Sequence, residues 1–316
     1  MSRLNYPDSA KGICMLLIVV VHVGAVCSIP LLHEVKVSAF FMLSGYFFSV
    51  KLPFKDFIIK KYKTILFPFL FFYVISYLLF YAGKYAVPHF DTMTEAKGIL
   101  DCFVQKQYFN GPLWFLLALF WLQVITYFII KHIKKTPIAF AVSLLLSCLG
   151  FMLGKMGIDL PLVLDTSLST VFVFHLGYLL RKYSILEKYG KVESGIFSVI
   201  FYLSCWSFPT LIMHSTNRYD CGLVSYIYIS IVLSIALILF SKAFLDHSGL
   251  LAFIGRHSMW IMCVHHLLYR PIKMVAQHFL SGQPALYLTF FITIAICCLT
   301  APCIEKYAPR IIGKAK

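Results

Sequence analysis

Long apolar runs alternate along this chain with short polar stretches, and the runs have membrane length. A helix of about 20 apolar residues crosses a bilayer core. Measured against that length, the sequence predicts ten spans, at residues 13–32, 37–50, 64–86, 112–130, 137–154, 160–180, 195–213, 222–245, 252–272 and 285–303. The second is short and interrupted by Ser44-Gly45, and only Gly154-Lys155-Met156-Gly157 separates the fifth from the sixth. The polar stretches share the basic residues unevenly. With the N-terminus in the cytoplasm, 20 of the 28 Lys and Arg fall on the cytoplasmic side and 8 on the other, the asymmetry that orients multi-span proteins. The expected fold is all-α, a polytopic integral membrane protein with about ten transmembrane helices in a single bundle over residues 1–316. Both termini are expected in the cytoplasm, and the membrane is expected to be a bacterial-type plasma membrane. The longest loop, about 87–110, has mixed charge and is placed to cover an outward-facing site.

Composition supports this reading and narrows it. The chain is 60% hydrophobic and 13% charged, where a soluble domain carries about 25% charged residues, and its mean hydropathy is +0.83. A net charge of +15 in a soluble chain would suggest nucleic acid; in short cytoplasmic loops it reflects topology. The first apolar run is too long for a cleavable signal, and no small-residue cleavage pattern follows it. The ten cysteines form no CxxC pair and no Cys/His cluster at zinc spacing, so no metal is expected, and most lie in spans as packing residues. Cys102 and Cys221 fall in loops on one side, and the sequence leaves a disulfide between them open.

The candidate chemistry begins with His22, near the middle of the first apolar run. An ionisable residue at bilayer depth is costly and is a functional candidate, although interhelical hydrogen bonding is the plainer role for a lone membrane histidine. Lys11 lies eleven residues earlier, about three turns and roughly 16 Å along the axis, on the same helix face. Asp8 stands at i,i+3 from Lys11, suited to pairing and to a helix N-terminus. Ser44-Gly45 inside Phe40–Phe48 lets a backbone or a ligand approach closely. Lys60-Lys61-Tyr62-Lys63 reads either as lipid-headgroup contact or as a rim for a polyphosphate ligand. Asn110-Gly111-Pro112-Leu113-Trp114 is a good helix start with an interfacial anchor. In the segment Gly255-Arg256-His257-Ser258, Ser258 shares a helix face with His265, a second imidazole in the bilayer. On that spacing His266 points elsewhere, and His175 reads as packing. From the residues alone, a transporter using these histidines as a proton relay and a glycan polymerase are the competing classes. No repeat with paired broken helices supports the first, and the short outer loops do not favour the second.

Together these segments resemble the integral-membrane acyltransferase-3 family, and within it the branch of fucose 4-O-acetylases and related acetyltransferases. The resemblance runs from Asp8 to His265. Tyr6-Pro7-Asp8-Ser9-Ala10-Lys11 followed by His22 is similar to the family's signature of Arg or Lys, ten residues, then His. Leu43-Ser44-Gly45-Tyr46-Phe47-Phe48 is similar to its second-helix signature, and Gly111–Leu116 and Gly255–His265 to the other two. The resemblance implies an acyl donor, usually acetyl-CoA, used as a substrate with no permanently bound cofactor. It implies as acceptor a hydroxyl of a glycan or lipid-linked sugar at or beyond the outer face, for modification of a cell-envelope polysaccharide. His22 would be the catalytic base or a transient acyl carrier, assisted by Lys11 and His265. Lys11, Lys60, Lys61, Lys63, Ser44 and Arg256 would hold the donor. One position departs from the family: where many members carry the His of His-Met-Pro, this chain has Lys36, with His33 three residues earlier.

Overall fold

The computed structural model describes residues 5–26, 31–86, 98–104, 106, 108–208 and 212–314. The first helix, α1 (Tyr6–Val23), starts well before the apolar run does. Pro7 sits in its first turn, where a missing N–H costs nothing, and Asp8 suits the positive end of the helix dipole. Gly24, at φ 85°, caps the other end by donating its N–H to the Val20 and Val21 carbonyls, a left-handed conformation that glycine adopts without strain. His22 therefore stands in the last turn of α1, which corrects the expectation that it lies mid-span.

The chain continues through α2 (Leu32–Tyr46) and α3 (Phe54–Lys61), which passes through a π turn at Tyr62–Leu66 into α4 (Phe67–Ala86). A short α5 (Asp101–Val104) and a 3-10 turn at Gly111–Leu113 lead into α6 (Trp114–His132). Then come α7 (Thr136–Lys155), α8 (Leu164–Lys182) and α9 (Lys191–Ser204). A small antiparallel hairpin pairs β1 (Ile212–Met213) with β2 (Arg218–Tyr219). The last helices are α10 (Leu223–Phe244), α11 (Gly249–Arg256), α12 (Ser258–Phe279) and α13 (Gln283–Tyr307).

Every expected span contains a helix, yet among the described residues seven helices are long and apolar enough to cross a membrane. The count of ten is not reached on those measures. α2 and α9 have 15 and 14 residues, and α12 carries His, Arg and Lys along its length. The seventh expected span stops at Ser204 and gives way to the hairpin. The ninth breaks at His257 into α11 and α12, where His257 Nε2 lies 2.9 Å from Glu305 of α13.

Two contacts between helices explain motif glycines. A Cβ on Gly12 would collide with the Leu251 carbonyl, and one on Gly255 with the Asp8 carbonyl, so α1 and α11 meet backbone to backbone. Gly45 and Gly177 do the same for α2 and α8, against the carbonyls of Phe174 and Met42. Close approach through small residues is how helices associate where no hydrophobic force separates protein from lipid.

At the α8 N-terminus Lys106 bridges two acids, Asp165 at 2.5 Å and Asp159 at 2.6 Å, and Arg218 reaches Asp159 at 3.0 Å. The Lys106 and Asp165 side chains are buried. Burial alone would raise the Asp159 carboxyl, but hydrogen bonds from Lys106 and Arg218 outweigh it and hold the group below its ordinary value. His175 Nδ1 lies 2.9 Å from Ser143 Oγ, between α8 and α7. Cys221 is a free, buried cysteine; the Cys102 side chain and most of the 87–110 loop lie outside the described residues.

Candidate active site

The contact of α11 with the start of α1 sets up the rest. From there α12 runs alongside α1 in the same direction, away from Lys11. At the far end the Val26 N–H bonds to Gln283 Oε1 at 3.1 Å, tying the end of α1 to the start of α13. Between these two ties His22 meets α12. His265 Nε2 is 3.4 Å from His22 Nδ1. The His22 ring centroid lies 5.2 Å from that of His265 and 5.8 Å, edge-on, from that of His266. The expectation that His266 points elsewhere is therefore wrong. Neighbours on a helix are about 100° apart, and a ring seated against that helix between them touches both.

The hydrogen bonds fix the state of the two rings. His22 Nδ1 is 2.9 Å from the Ile18 carbonyl and His265 Nδ1 is 2.7 Å from the Ile261 carbonyl. A carbonyl oxygen only accepts, so each Nδ1 carries the proton, and in a neutral ring each Nε2 is a bare lone pair. The His265 lone pair accepts from His22 Nδ1–H. His22 Nε2 has no partner among the described residues. His265 is thus placed to orient His22 as a carboxylate would, without adding a charge.

The Asn110-Gly111-Pro112 turn is pinned to the same place. Asn110 Nδ2 donates to the Cys263 carbonyl at 2.7 Å. A Cβ on Gly111 would lie 3.6 Å from His266 Nε2, so the motif packs directly on the cluster.

His22 lines a cavity of about 200 Å³ with Lys36, Trp114, His214, Ile18 and Met262. Lys36 is buried, 8% exposed, so the family's departure position faces the candidate base. His214 Nε2 is 3.1 Å from Ser38 Oγ on the same helix as Lys36. Sequence reasoning missed His214 because it carried the seventh span to residue 213; the polar run His214-Ser215-Thr216-Asn217 was the available signal. His33's side chain lies outside the described ones.

The cationic candidates gather at the other end of the stripe. The Lys11 ammonium sits 4.4 Å above the Phe47 ring. Lys61 lies 5.9 Å from the Phe48 ring and 5.4 Å from Phe57. Both cations thus flank the C-terminal end of α2, held by cation–π contacts. Lys60 and Lys63 are exposed beside them. Arg256, half-buried at the end of α11, has no hydrogen-bond or ion-pair partner among the described residues. Ser44, one turn inside, bonds to its own helix at Phe40 O, 2.8 Å away. Lys11 and His22 do not touch. They stand about 16 Å apart along one helix.

The described residues hold no group of three His, Cys, Asp or Glu that would ligate a metal. No curated protein and no solved structure matches the chain. A family comparison does match: the acyltransferase domain of acyltransferase-3 aligns with residues 4–302. A membrane bundle with a paired basic and histidine stripe on α1, matched over nearly its whole length, belongs to the acyltransferase-3 family.

Proposed function

We propose that this membrane acyltransferase moves an acetyl or other short acyl group from cytosolic acyl-CoA to a hydroxyl of an exported glycan or lipid-linked sugar, at His22. The observation that carries the reading is an uncommitted nitrogen, His22 Nε2, on a ring whose Nδ1 is already held by Ile18 and His265 and which lines a cavity. Lys11, Lys60, Lys61, Lys63 and Arg256 supply charge-assisted contacts for the phosphates of coenzyme A, and the end of α2 around Ser44 forms the floor under its arm. On this reading Lys11 stands at the cytoplasmic mouth, with both chain termini inside and the membrane the plasma membrane, an orientation supported by the uneven share of Lys and Arg.

The chemistry is an acyl exchange. His22 Nε2 takes the proton of the acceptor hydroxyl as its oxygen attacks the thioester carbonyl; the C–S bond breaks, and the proton returns to the departing sulfur. Lys36 lines the same cavity and would face the carbonyl oxygen as it gains charge. In the variant route Nε2 attacks the thioester carbonyl and the C–S bond breaks to release the CoA thiolate; the acceptor hydroxyl then takes the acyl group as the C–N bond breaks, and its proton goes to that thiolate. Both routes need the same bare nitrogen. Membranes carrying the protein, supplied with radiolabelled acetyl-CoA, should transfer label to glycan. Substrate movement without label transfer would support transport instead. Label remaining on the denatured protein after a rapid quench would identify the acyl-histidine route.

A further inference from the structure

α12 carries a polar stripe that the transfer chemistry does not use. His266, Arg270, Lys273 and Gln277 are spaced i, i+4, i+7 and i+11, so they share one face of the helix. The stripe starts at the histidine cluster and continues for roughly 16 Å toward Phe279, away from Lys11. All four line one cavity of about 610 Å³, whose facing wall is α4 through Ser76 and Phe80. That volume lies in the range of small-molecule sites and is three times that of the cavity at His22.

Among the described residues the groups along it make no hydrogen bond or ion pair. His266 is 6% exposed, and its Nδ1 is buried with no hydrogen bond. Arg270 Nε is also buried without one. Among the described residues no acid pairs with Arg270 or Lys273. Unpaired buried polar groups and cations against an apolar wall are costly, and they are what an anion would satisfy through charge-assisted contacts. Helix rise sets the spacing. Arg270 is about 6 Å and Lys273 about 10 Å along the axis from His266, the span of one or two sugar rings.

We propose that this cavity is the acceptor site, and that the acceptor is anionic, with its phosphate or carboxylate on Arg270 and Lys273 and its hydroxyl at the histidine cluster. The assignment rests on the reading of that cluster as the transfer site. Donor and acceptor then approach His22 from opposite ends of the α1–α12 pair.

The test uses full-length protein in phosphatidylcholine nanodiscs and reads the thermal midpoint. Methyl glucuronide should raise it by about 2–4 °C at saturation, and the neutral methyl glucoside should not. The double variant Arg270→Gln, Lys273→Gln should lose the glucuronide shift and keep the shift given by coenzyme A, which also shows that it is folded. An equal shift with methyl glucoside, or a glucuronide shift that survives in the double variant, would overturn the proposal. So would a shift caused by phosphatidylglycerol in the disc and abolished in the variant, with no response to glucuronide, since the anion would then be a lipid headgroup. If the glucuronide shift is seen but coenzyme A gives none in the unaltered protein, the anion site stands and the transfer reading fails.

Discussion

Replacing His265 with Leu tests whether one histidine orients the other. His265 is fully buried and meets His22 at 3.4 Å, so the proposed chemistry makes it a positioning residue. Leu is close in volume and cannot accept a hydrogen bond. In the resting state the lost bond is long, 3.4 Å, and shares its donor with the Ile18 carbonyl, so its contribution there is at the low end of a neutral bond, about 0.5 kcal/mol. When His22 takes the hydroxyl proton it becomes an imidazolium, and a hydrogen bond from a charged donor contributes about 1.5–3 kcal/mol. The difference, about 1–2.5 kcal/mol, appears mainly in the transition state, so kcat should fall by about 5- to 70-fold, with KM for acetyl-CoA nearly unchanged. His265→Gln, which restores an acceptor, should recover part of the loss. The assay is initial-rate transfer of label from acetyl-CoA in isolated membranes at matched protein levels. A Leu variant within twofold of the unaltered protein, or one whose loss is all in KM, would refute the orienting role and leave His265 as packing.

Removing the cations beside α2, with Lys11→Gln and Lys61→Gln together, should raise KM for acyl-CoA at least tenfold, as expected for the loss of phosphate contacts, with a smaller effect on kcat. Lys106→Met should destabilise the protein by about 3–5 kcal/mol, because it leaves the buried Asp165 carboxylate without its cation; a denaturation midpoint unchanged from the parent would contradict the structure at that end of the bundle. Asp159, held low by Lys106 and Arg218, should stabilise the fold fully above its ordinary value of 3.8 and lose that contribution as pH falls through the lower folded-state value. The gap in thermal midpoint between the parent and Asp159→Asn should therefore be constant near neutrality and close below about pH 3.8.

The spans were legible because twenty apolar residues in a row have one physical meaning, whereas their ends were not. α1 was placed seven residues late at its start because Tyr6–Gly12 is largely polar and, apart from Lys11, buried against α11 and the α10–α11 loop, including Asp8 and Ser9. Hydropathy treats such residues as solvent-facing. His22 was found from the cost of keeping it in the membrane, and His265 from its register with Ser258. His266 and His214 needed knowledge of which helix faces meet, and no single-helix periodicity contains that. Lys36 stood out only as a departure from a pattern; its burial beside His22 came from the packing of α2.

The most direct measurement is label transfer by His22→Ala in membranes, read beside the thermal shift that coenzyme A gives the same purified variant. We expect transfer to fall by about 10²- to 10⁴-fold, with the coenzyme A shift preserved, because Lys11 and its neighbours lie some 16 Å away. A variant that still binds coenzyme A and transfers acetyl at the parent rate would contradict the assignment of His22 as the group at which the acyl transfer occurs.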